Sequence, residues 1–138
     1  MNLKKQDGFS LIELLVVVCI IGIIASLAIP ALRKSVRATE NQSAFSNMRT
    51  IVQAQANFYS GSNRYARLDE LNAAQNDVLG TTIGTEIIRG PFRYTLTSDS
   101  SDTSLQSSYT IVGARAVPGD VPYVVSIDQS GAITQITP

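Results

Sequence analysis

The sequence predicts an α+β fold, in which one long N-terminal helix packs against a four-stranded antiparallel meander. Three observations support this class. Residues 14–32 contain no charged side chain, residues 31–60 contain neither Gly nor Pro, and residues 92–136 form short alternating segments separated by turn residues. A chain of 138 residues is long enough for one small domain and an anchoring helix.

The composition excludes several classes of chemistry. Eleven basic residues balance 11 acidic ones, so no basic excess points to nucleic acid. The chain has no His, which removes the commonest general base and the commonest transition-metal ligand. Its one cysteine, Cys19, lies inside the apolar run and is predicted to be a packing residue. We therefore predict no enzyme activity, no metal site and no cofactor.

The apolar run is long enough to anchor the chain in a membrane. At ~1.5 Å rise per residue, residues 14–32 make a helix of about 28 Å, close to the ~30 Å hydrocarbon core of a bilayer. Glu13 lies at the start of this run, four residues after Phe9. A carboxylate in this setting is unfavourable by several kcal/mol unless it is paired, so Glu13 is a candidate functional residue.

Three kinds of processing fit this N-terminus. The first is a secretory signal peptide cut at the small residues Ser26-Leu27-Ala28, which Glu13 and the length of the apolar run disfavour. The second is a plain signal anchor, which leaves Glu13 unexplained. The third is cleavage between Gly8 and Phe9, which creates a new α-amino group at Phe9.

Cleavage at this junction would give Glu13 a partner. The Phe9 amine does not easily reach the Glu13 carboxylate of its own chain, whereas a neighbouring helix shifted along its axis presents its amine there. Opposite charges within ~4–6 Å favour both charged forms. A subunit inserted at the wrong height would leave a bare buried charge, so Glu13 would fix the register between helices.

These residues resemble the class III signal of type IV prepilins and of type II secretion pseudopilins. The matching positions are Gly8, Phe9, Leu11-Ile12, Glu13 and Pro30. The resemblance implies that a prepilin peptidase cuts after Gly8 and N-methylates Phe9, and that Glu13 pairs with the Phe9 amine of an adjacent subunit. It also implies a precursor in the inner membrane with its head outside, and a pilin-like fold.

The resemblance and the patterns divide the chain into four parts. These are a leader of residues 1–8, a transmembrane or assembly half-helix of residues 9–32, an amphipathic half-helix of residues 33–60, and a globular head of residues 61–138. Gly22 and Pro30 weaken the first half-helix, which fits a kink that lipid and neighbouring helices tolerate. The resemblance to pilins instead implies that residues 22–30 loosen into extended backbone once packed in a filament.

The second half-helix carries an apolar face that is predicted to pack under the head. Helical spacing on this face joins Phe45, Met48, Val52, Gln55 and Tyr59, with Ile51, Ala56 and Phe58 beside them. The opposite face is expected to carry Arg37, Glu40, Asn47 and Arg49.

The head is predicted to hold the antiparallel strands. The segment after the helix, residues 64–71, is expected to pin the loop back onto the helix, and residues 72–91 are expected to be mostly loop. Strands are predicted over residues 92–97, 109–115, 122–128 and 132–136, with Phe92, Tyr94 and Leu96 on one face. Residues 98–108 are predicted to form a polar, exposed and mobile tip.

Three functions remain open at this stage. The first is the structural subunit of a type IV pilus, a helical homo-oligomer serving adhesion, motility or DNA uptake, with the prepilin peptidase and a pilus assembly platform as partners. The second is a pseudopilin in a short periplasmic pseudopilus. The third is a membrane-anchored binding or sensor domain. Scattered arginines admit a nucleic-acid patch that the neutral charge does not support; they are Arg64, Arg67, Arg89, Arg93 and Arg115.

Overall fold

The computed structural model describes residues 8–137, so most of the predicted leader, residues 1–7, lies outside the described residues. The described helices are α1 (Leu11–Ser62), α2 (Leu68–Ala74) and α3 (Asp102–Leu105). The described strands are β1 (Thr81–Ile83), β2 (Glu86–Arg89), β3 (Phe92–Leu96), β4 (Thr110–Arg115), β5 (Val124–Asp128) and β6 (Ile133–Gln135). The α+β class is confirmed.

The chain divides into two compact units, one ending at Ala38 and one beginning at Thr39. Helix α1 contributes residues to both. In the described part of the chain, α1 alone is long and apolar enough to cross a membrane by length and composition. Its most apolar window has a mean hydropathy of 2.9 and contains no buried residue.

The strands form one sheet in the order β1-β2-β3-β4-β5-β6, with every neighbouring pair antiparallel. The meander is confirmed, but it has six strands where four were expected. The extra strands, β1 and β2, lie in the segment predicted to be mostly loop. Two-residue turns close them, with Gly84 at φ +62° and Gly90 at φ +57° in the first turn position, a conformation that glycine adopts without steric cost.

The core of the second unit lies between α1 and one face of the sheet. Phe92 and Tyr94 on β3 are buried as their alternation predicts, and Leu96 is half-buried. Val125 and Ile127 on β5 are also buried. On α1 the side chains that complete this core are those of Ala44, Met48, Ile51 and Ala54.

The buried face of α1 is rotated from the predicted one. Ala44, Met48, Ile51 and Gln55 are buried, spaced as one helical face, whereas Phe45 and Val52 are only half-buried. The prediction that Glu40 and Asn47 face away from the head is wrong. The Glu40 carboxylate bonds to Arg115, and the Asn47 amide donates to the Tyr94 hydroxyl at 3.1 Å. The side chains of Glu40 and Asn47 thus lie at the border of the core and bond to residues of the sheet.

The segment that follows α1 is pinned to the helix, as predicted. Buried Gln55 donates to the Ala66 carbonyl at 2.9 Å and accepts from the Ala66 N–H at 2.8 Å. The Tyr65 ring contacts the rings of Tyr59 and Tyr109, with centroids 4.7 and 4.6 Å apart. This part of the chain is therefore held by polar and aromatic contacts together.

The polar segment expected to be an exposed tip is anchored to the rest of the head. It contains α3, whose Leu105 is fully buried. The Tyr65 N–H donates to the Leu105 carbonyl at 2.8 Å. One leucine in a polar run thus ties the segment to the loop that follows α1.

Candidate assembly site

The N-terminal part of α1 presents apolar side chains on every side. Large apolar residues between Leu11 and Leu32 are exposed, from 88% at Leu11 to 46% at Val17. A helix that is apolar all round is normally covered by lipid or by other helices. This surface is therefore the first candidate site for membrane insertion and for contact with other subunits.

The predicted processing and register residues lie at the start of this helix. Gly8 and Phe9 precede α1, and the Phe9 side chain is 82% exposed. Glu13 lies in the first turn, where its Oε2 accepts from the Ser10 N–H at 3.4 Å. A carboxylate in the first turn also interacts favourably with the helix dipole. The structure thus adds a local contact for Glu13 that the sequence argument did not consider.

Helix α1 continues through Gly22 and Pro30. Pro30 has no N–H to donate to the Ser26 carbonyl, and the Ser26 hydroxyl donates to the Ile23 carbonyl at 2.7 Å. A loosening of residues 22–30 on packing therefore stays a prediction.

The scattered arginines do not form a free basic patch. Arg64 binds Glu70, Arg67 binds Glu70 and Asp102, and Arg93 binds Glu86. Arg115 binds Glu40 and Asp120, and Arg89 donates to the Val78 carbonyl. Carboxylates thus neutralise four of the five cations that a nucleic-acid patch would need.

Arg115 is the most buried of these cations. Its side chain is 3% exposed and lies 5.0 Å above the Phe92 ring. Its guanidinium donates to Glu40 at 2.7 Å, to Asn41 at 2.7 Å and to Asp120 at 3.0 Å. Arg115 thus joins β4, α1 and the β4–β5 loop.

Glu70 carries the strongest described carboxylate interactions. Arg64 donates to both of its oxygens, at 2.9 and 3.0 Å, and the Arg67 N–H adds a third bond. The hydrogen bond from Arg64 contributes most to lowering the pKa of Glu70 from its usual 4.5 to about 2, while desolvation opposes the shift. This network ties α2 to the loop that follows α1 by charge.

The acidic residues of the loops satisfy local backbone and hydroxyl groups. Asp99 accepts from Ser101 and Ser104, and Asp128 accepts from Ser130. These hydrogen bonds lower the pKa of Asp99 and of Asp128. Within residues 8–137, no group of three or more Cys, Asp or Glu side chains could hold a metal ion.

Three polar residues whose side chains are buried had no hydrogen-bonding role in the sequence argument, although it placed Gln55 on the packing face of α1. Gln55 and Arg115 are described above. Asn72 is fully buried, donates to the Gly80 carbonyl and the Thr82 hydroxyl, and accepts from the Leu79 N–H. The position of Gln55 on an otherwise apolar helical face was the signal that its polar side chain is buried. The sequence around Asn72 and around Arg115 gave no such signal.

A protein-family model described as the prokaryotic N-terminal methylation motif matches residues 3–29. This chain carries the prokaryotic N-terminal methylation motif. The matched residues include Gly8, Phe9 and Glu13, together with the first part of the exposed apolar surface. The resemblance stated from the sequence is confirmed.

The curated relatives of this chain come from two kinds of system. The chain is 42% identical over 62 residues to the "Type IV major pilin protein PilA" of Myxococcus xanthus. It is 33% identical over 70 residues to the "Type II secretion system core protein G" of Aeromonas hydrophila, and 32% identical over 66 residues to that of Pectobacterium carotovorum. The similarity is therefore to pilins and pseudopilins alike.

The matched stretches cover about half of this chain, at 45%, 51% and 48%. They span 28% of the pilin and 49% and 42% of the two core proteins. No solved structure matches the chain. The similarity to these relatives is thus partial.

Proposed function

We propose that the chain is the structural subunit of a type IV pilus. Residues 1–8 are the leader, and cleavage after Gly8 precedes N-methylation of Phe9. Residues 9–32 hold the precursor in the inner membrane with its head outside and later form the filament interior. Residues 33–60 carry the head, residues 61–138. The prepilin peptidase and an assembly platform act on the chain, and the product is a surface filament.

The exposed apolar surface of α1 is the observation that carries this proposal. Burying one large apolar side chain contributes about 1.5–3 kcal/mol. Side chains from Leu11 to Leu32 are exposed on all sides, so several neighbouring helices can cover them at once. This geometry suits a subunit that leaves the lipid to enter a bundle of identical helices.

Glu13 and the Phe9 amine set the register of that bundle. The carboxylate lies in the first turn of α1, just inside the apolar surface. In the filament it leaves its long 3.4 Å contact with the Ser10 N–H and pairs with the amine of an adjacent subunit. Removing one member of a buried ion pair destabilises an assembly by about 3–5 kcal/mol, which exceeds the net contribution of the pair.

Gly22 and Pro30 adapt the helix to this packing. We propose that residues 22–30 become extended in the filament, where neighbouring side chains take over lost backbone contacts. Hydrogen exchange on assembled fibres tests this directly. Amides of residues 22–30 should exchange faster than those of residues 11–20, and equal slow exchange across both stretches rules the extension out.

Intact-mass measurement on sheared surface fibres tests the main proposal. A subunit beginning at N-methyl-Phe9 is expected, together with a loss of fibres by about a hundredfold in Glu13→Gln, since about 3 kcal/mol corresponds to that factor. The matched control is Glu86→Gln, the same change at a carboxylate outside the assembly helix, which should leave fibre yield unaltered. An uncut chain confined to the membrane would contradict the proposal and leave the anchored binding or sensor domain.

A pseudopilin is the second candidate, favoured by the similarity to two core proteins G of type II secretion systems. It predicts the same processed subunit and the same requirement for Glu13. The difference lies in where the assembled material is found. Processed subunits confined to the envelope, with no sheared surface fibre, would identify a pseudopilus.

A further inference from the structure

The unit that ends at Ala38 carries a cluster of positive charge where its apolar surface stops. Residues 14–32 contain no charged side chain, Arg33 and Lys34 follow at once, and Arg37 lies one turn further along α1. We call these three residues the basic cluster. The sequence contains no Asp or Glu from residue 14 to residue 39, so no carboxylate of this stretch offsets their charge.

The basic cluster differs from the arginines of the second unit in its lack of partners. Carboxylates bind four of those arginines, which are Arg64, Arg67, Arg93 and Arg115. Among residues 8–137, by contrast, neither Arg33 nor Lys34 takes part in an ion pair, and both are exposed. Two adjacent cations on α1 are therefore available to an anionic partner.

The three cations lie on one side of α1 and within a thin layer. Because an α-helix turns by about 100° per residue, Arg33 and Arg37 are about 40° apart around the axis, and Lys34 is within about 100° of both. The cluster spans about 6 Å along the axis at ~1.5 Å per residue. Each headgroup layer of a bilayer is similarly thin, at about 5–8 Å.

The length of the apolar run sets the depth of the basic cluster in a membrane. Helix α1 is continuous through this run, so the Cα of Arg33 lies about 30 Å along the axis from that of Glu13, at ~1.5 Å per residue. The hydrocarbon core of a bilayer is ~30 Å thick. When Glu13 lies at one surface of this core, the basic cluster therefore lies among the headgroups on the other side.

The basic cluster is the available interfacial anchor at this end of the run. Trp and Tyr commonly hold membrane helices at the interface, but the sequence between Phe9 and Phe45 contains no aromatic side chain. The apolar neighbours of the cations, Leu32 and Val36, are 65% and 48% exposed, which suits the boundary between acyl chains and headgroups.

We propose that the basic cluster binds the headgroups of anionic phospholipids on the side of the membrane where the head lies. The inference rests on the proposed function, since it requires residues 9–32 to span the bilayer before assembly. A cation held at a lipid surface is attracted by the negative charge there, and Arg and Lys both donate hydrogen bonds to phosphate oxygens. The contact fixes the depth of the precursor, and a subunit that leaves the bilayer for a filament gives it up.

Spin-labelled lipids test this contact in vesicles of phosphatidylcholine that contain the full chain. Electron spin resonance measures how much spin-labelled phosphatidylglycerol, which is anionic, and how much spin-labelled phosphatidylcholine, which is neutral overall, the protein immobilises. Lys4→Gln and Lys5→Gln in every sample remove the cations at the other end of the apolar run. We expect a preference for phosphatidylglycerol of about fivefold at low salt, the factor that corresponds to about 1 kcal/mol. It should fall toward one at about 1 M salt, because salt screens the attraction.

The test variant combines Arg33→Gln with Lys34→Gln and should lower the preference to less than about twofold. The matched control combines Arg49→Gln with Arg89→Gln, which removes the same charge from two exposed arginines of the second unit. The control should keep the full preference. Both variants should immobilise the same amount of phosphatidylcholine, which shows that both chains still span the bilayer.

The vesicle result and the sheared fibre are separate readouts. A preference lost in the test variant and kept in the control supports the lipid contact, even if no surface fibre is found, which would count against the pilus alone. An equal preference in the two variants, or no preference at low salt before Arg33 and Lys34 are changed, overturns the contact and leaves the pilus. A chain that immobilises no lipid overturns the contact and the membrane anchor together.

Discussion

Gly113 shows how a single residue sets the distance between helix and sheet. A Cβ on Gly113 would lie 2.8 Å from Tyr94 Cε1 and 2.9 Å from Met48 Cε, closer than real contacts allow. Both neighbours are fully buried and have little room to move. The absence of a side chain on β4 thus lets Tyr94 and α1 pack at this level.

We expect Gly113→Ala to lower the free energy of unfolding by about 1–3 kcal/mol through overpacking. The matched control is Gly61→Ala, since Gly61 lies in the last turn of α1 with open space around it and should gain up to about 1 kcal/mol. Urea unfolding of both variants in the same detergent measures the two changes in the free energy of unfolding. A neutral Gly113→Ala would show that Met48 and Tyr94 can give way.

Glu70 makes the head sensitive to acid. Its pKa falls from 4.5 to about 2 on folding, chiefly through Arg64, so its contribution is complete above about pH 5 and is lost as the pH falls toward 2. The side chains of Arg64 and Glu70 are 22% and 31% exposed, so solvent screens their interaction. We therefore expect acid to lower the free energy of unfolding by about 1–2 kcal/mol through this group.

Urea unfolding at pH 6 and at pH 3 measures this loss. Glu70→Gln should remove most of it, because the variant has no carboxylate to protonate at this position. The control is Glu86→Gln, because Glu86 pairs with Arg93, which is 48% exposed and therefore more strongly screened. This variant should retain most of the pH dependence. An unchanged pH dependence in Glu70→Gln would show that other carboxylates control acid unfolding.

Gln55 is one of the contacts that join helix α1 to the following loop. The amide makes two hydrogen bonds to the Ala66 backbone in a fully buried setting. Gln55→Ala would leave both backbone groups without these partners, and we expect about 2–4 kcal/mol of destabilisation. Thermal unfolding followed by circular dichroism measures the change.

Gln53 supplies the control for this element, since it is exposed and two residues away on the same helix. Gln53→Ala should alter stability by less than about 0.5 kcal/mol. If both variants lose equal stability, helix propensity and not the bond to Ala66 would explain the effect.

The elements also show what sequence patterns can and cannot predict. Strands β3 and β5 were predictable because Phe92, Tyr94, Val125 and Ile127 alternate with polar residues over enough positions. Strands β1 and β2 were missed because three or four residues carry too little periodicity. Their glycine turns, at Gly84 and Gly90, were the signal available.

The candidate site divides in the same way. Gly8, Phe9 and Glu13 could be singled out because a carboxylate beside an apolar run is costly wherever the run is buried. The environment of Arg115 could not be predicted, because it depends on long-range contacts. Arg115 pairs with Glu40, which is 75 positions away in the sequence, and no local sequence pattern predicts such a pairing.

For the whole molecule, the core and the apolar surface are separate along the chain. All described core residues lie at Ala44 or later, and the exposed apolar residues of the candidate assembly surface end at Leu32. We therefore expect a chain beginning at Arg33 to fold and to stay soluble without detergent. Its thermal midpoint should equal that of the head in the full chain, by circular dichroism.

Loss of cooperative unfolding in the shortened chain would contradict this expectation, since it would mean that the first half of α1 supports the core. A chain beginning at Arg33 and carrying Gly113→Ala provides the comparison for a destabilised head. It should melt at a lower temperature with a transition that remains cooperative.

The pairing of arginines with carboxylates has a colloidal consequence. With nine basic and ten acidic residues left after removal of residues 1–8, and with Arg64, Arg67, Arg93 and Arg115 each neutralised locally, an assembled fibre would carry little long-range repulsion. Such fibres should associate side by side into bundles, and dilution into low salt should not disperse them. Light scattering at low and high ionic strength would then give nearly the same bundle size.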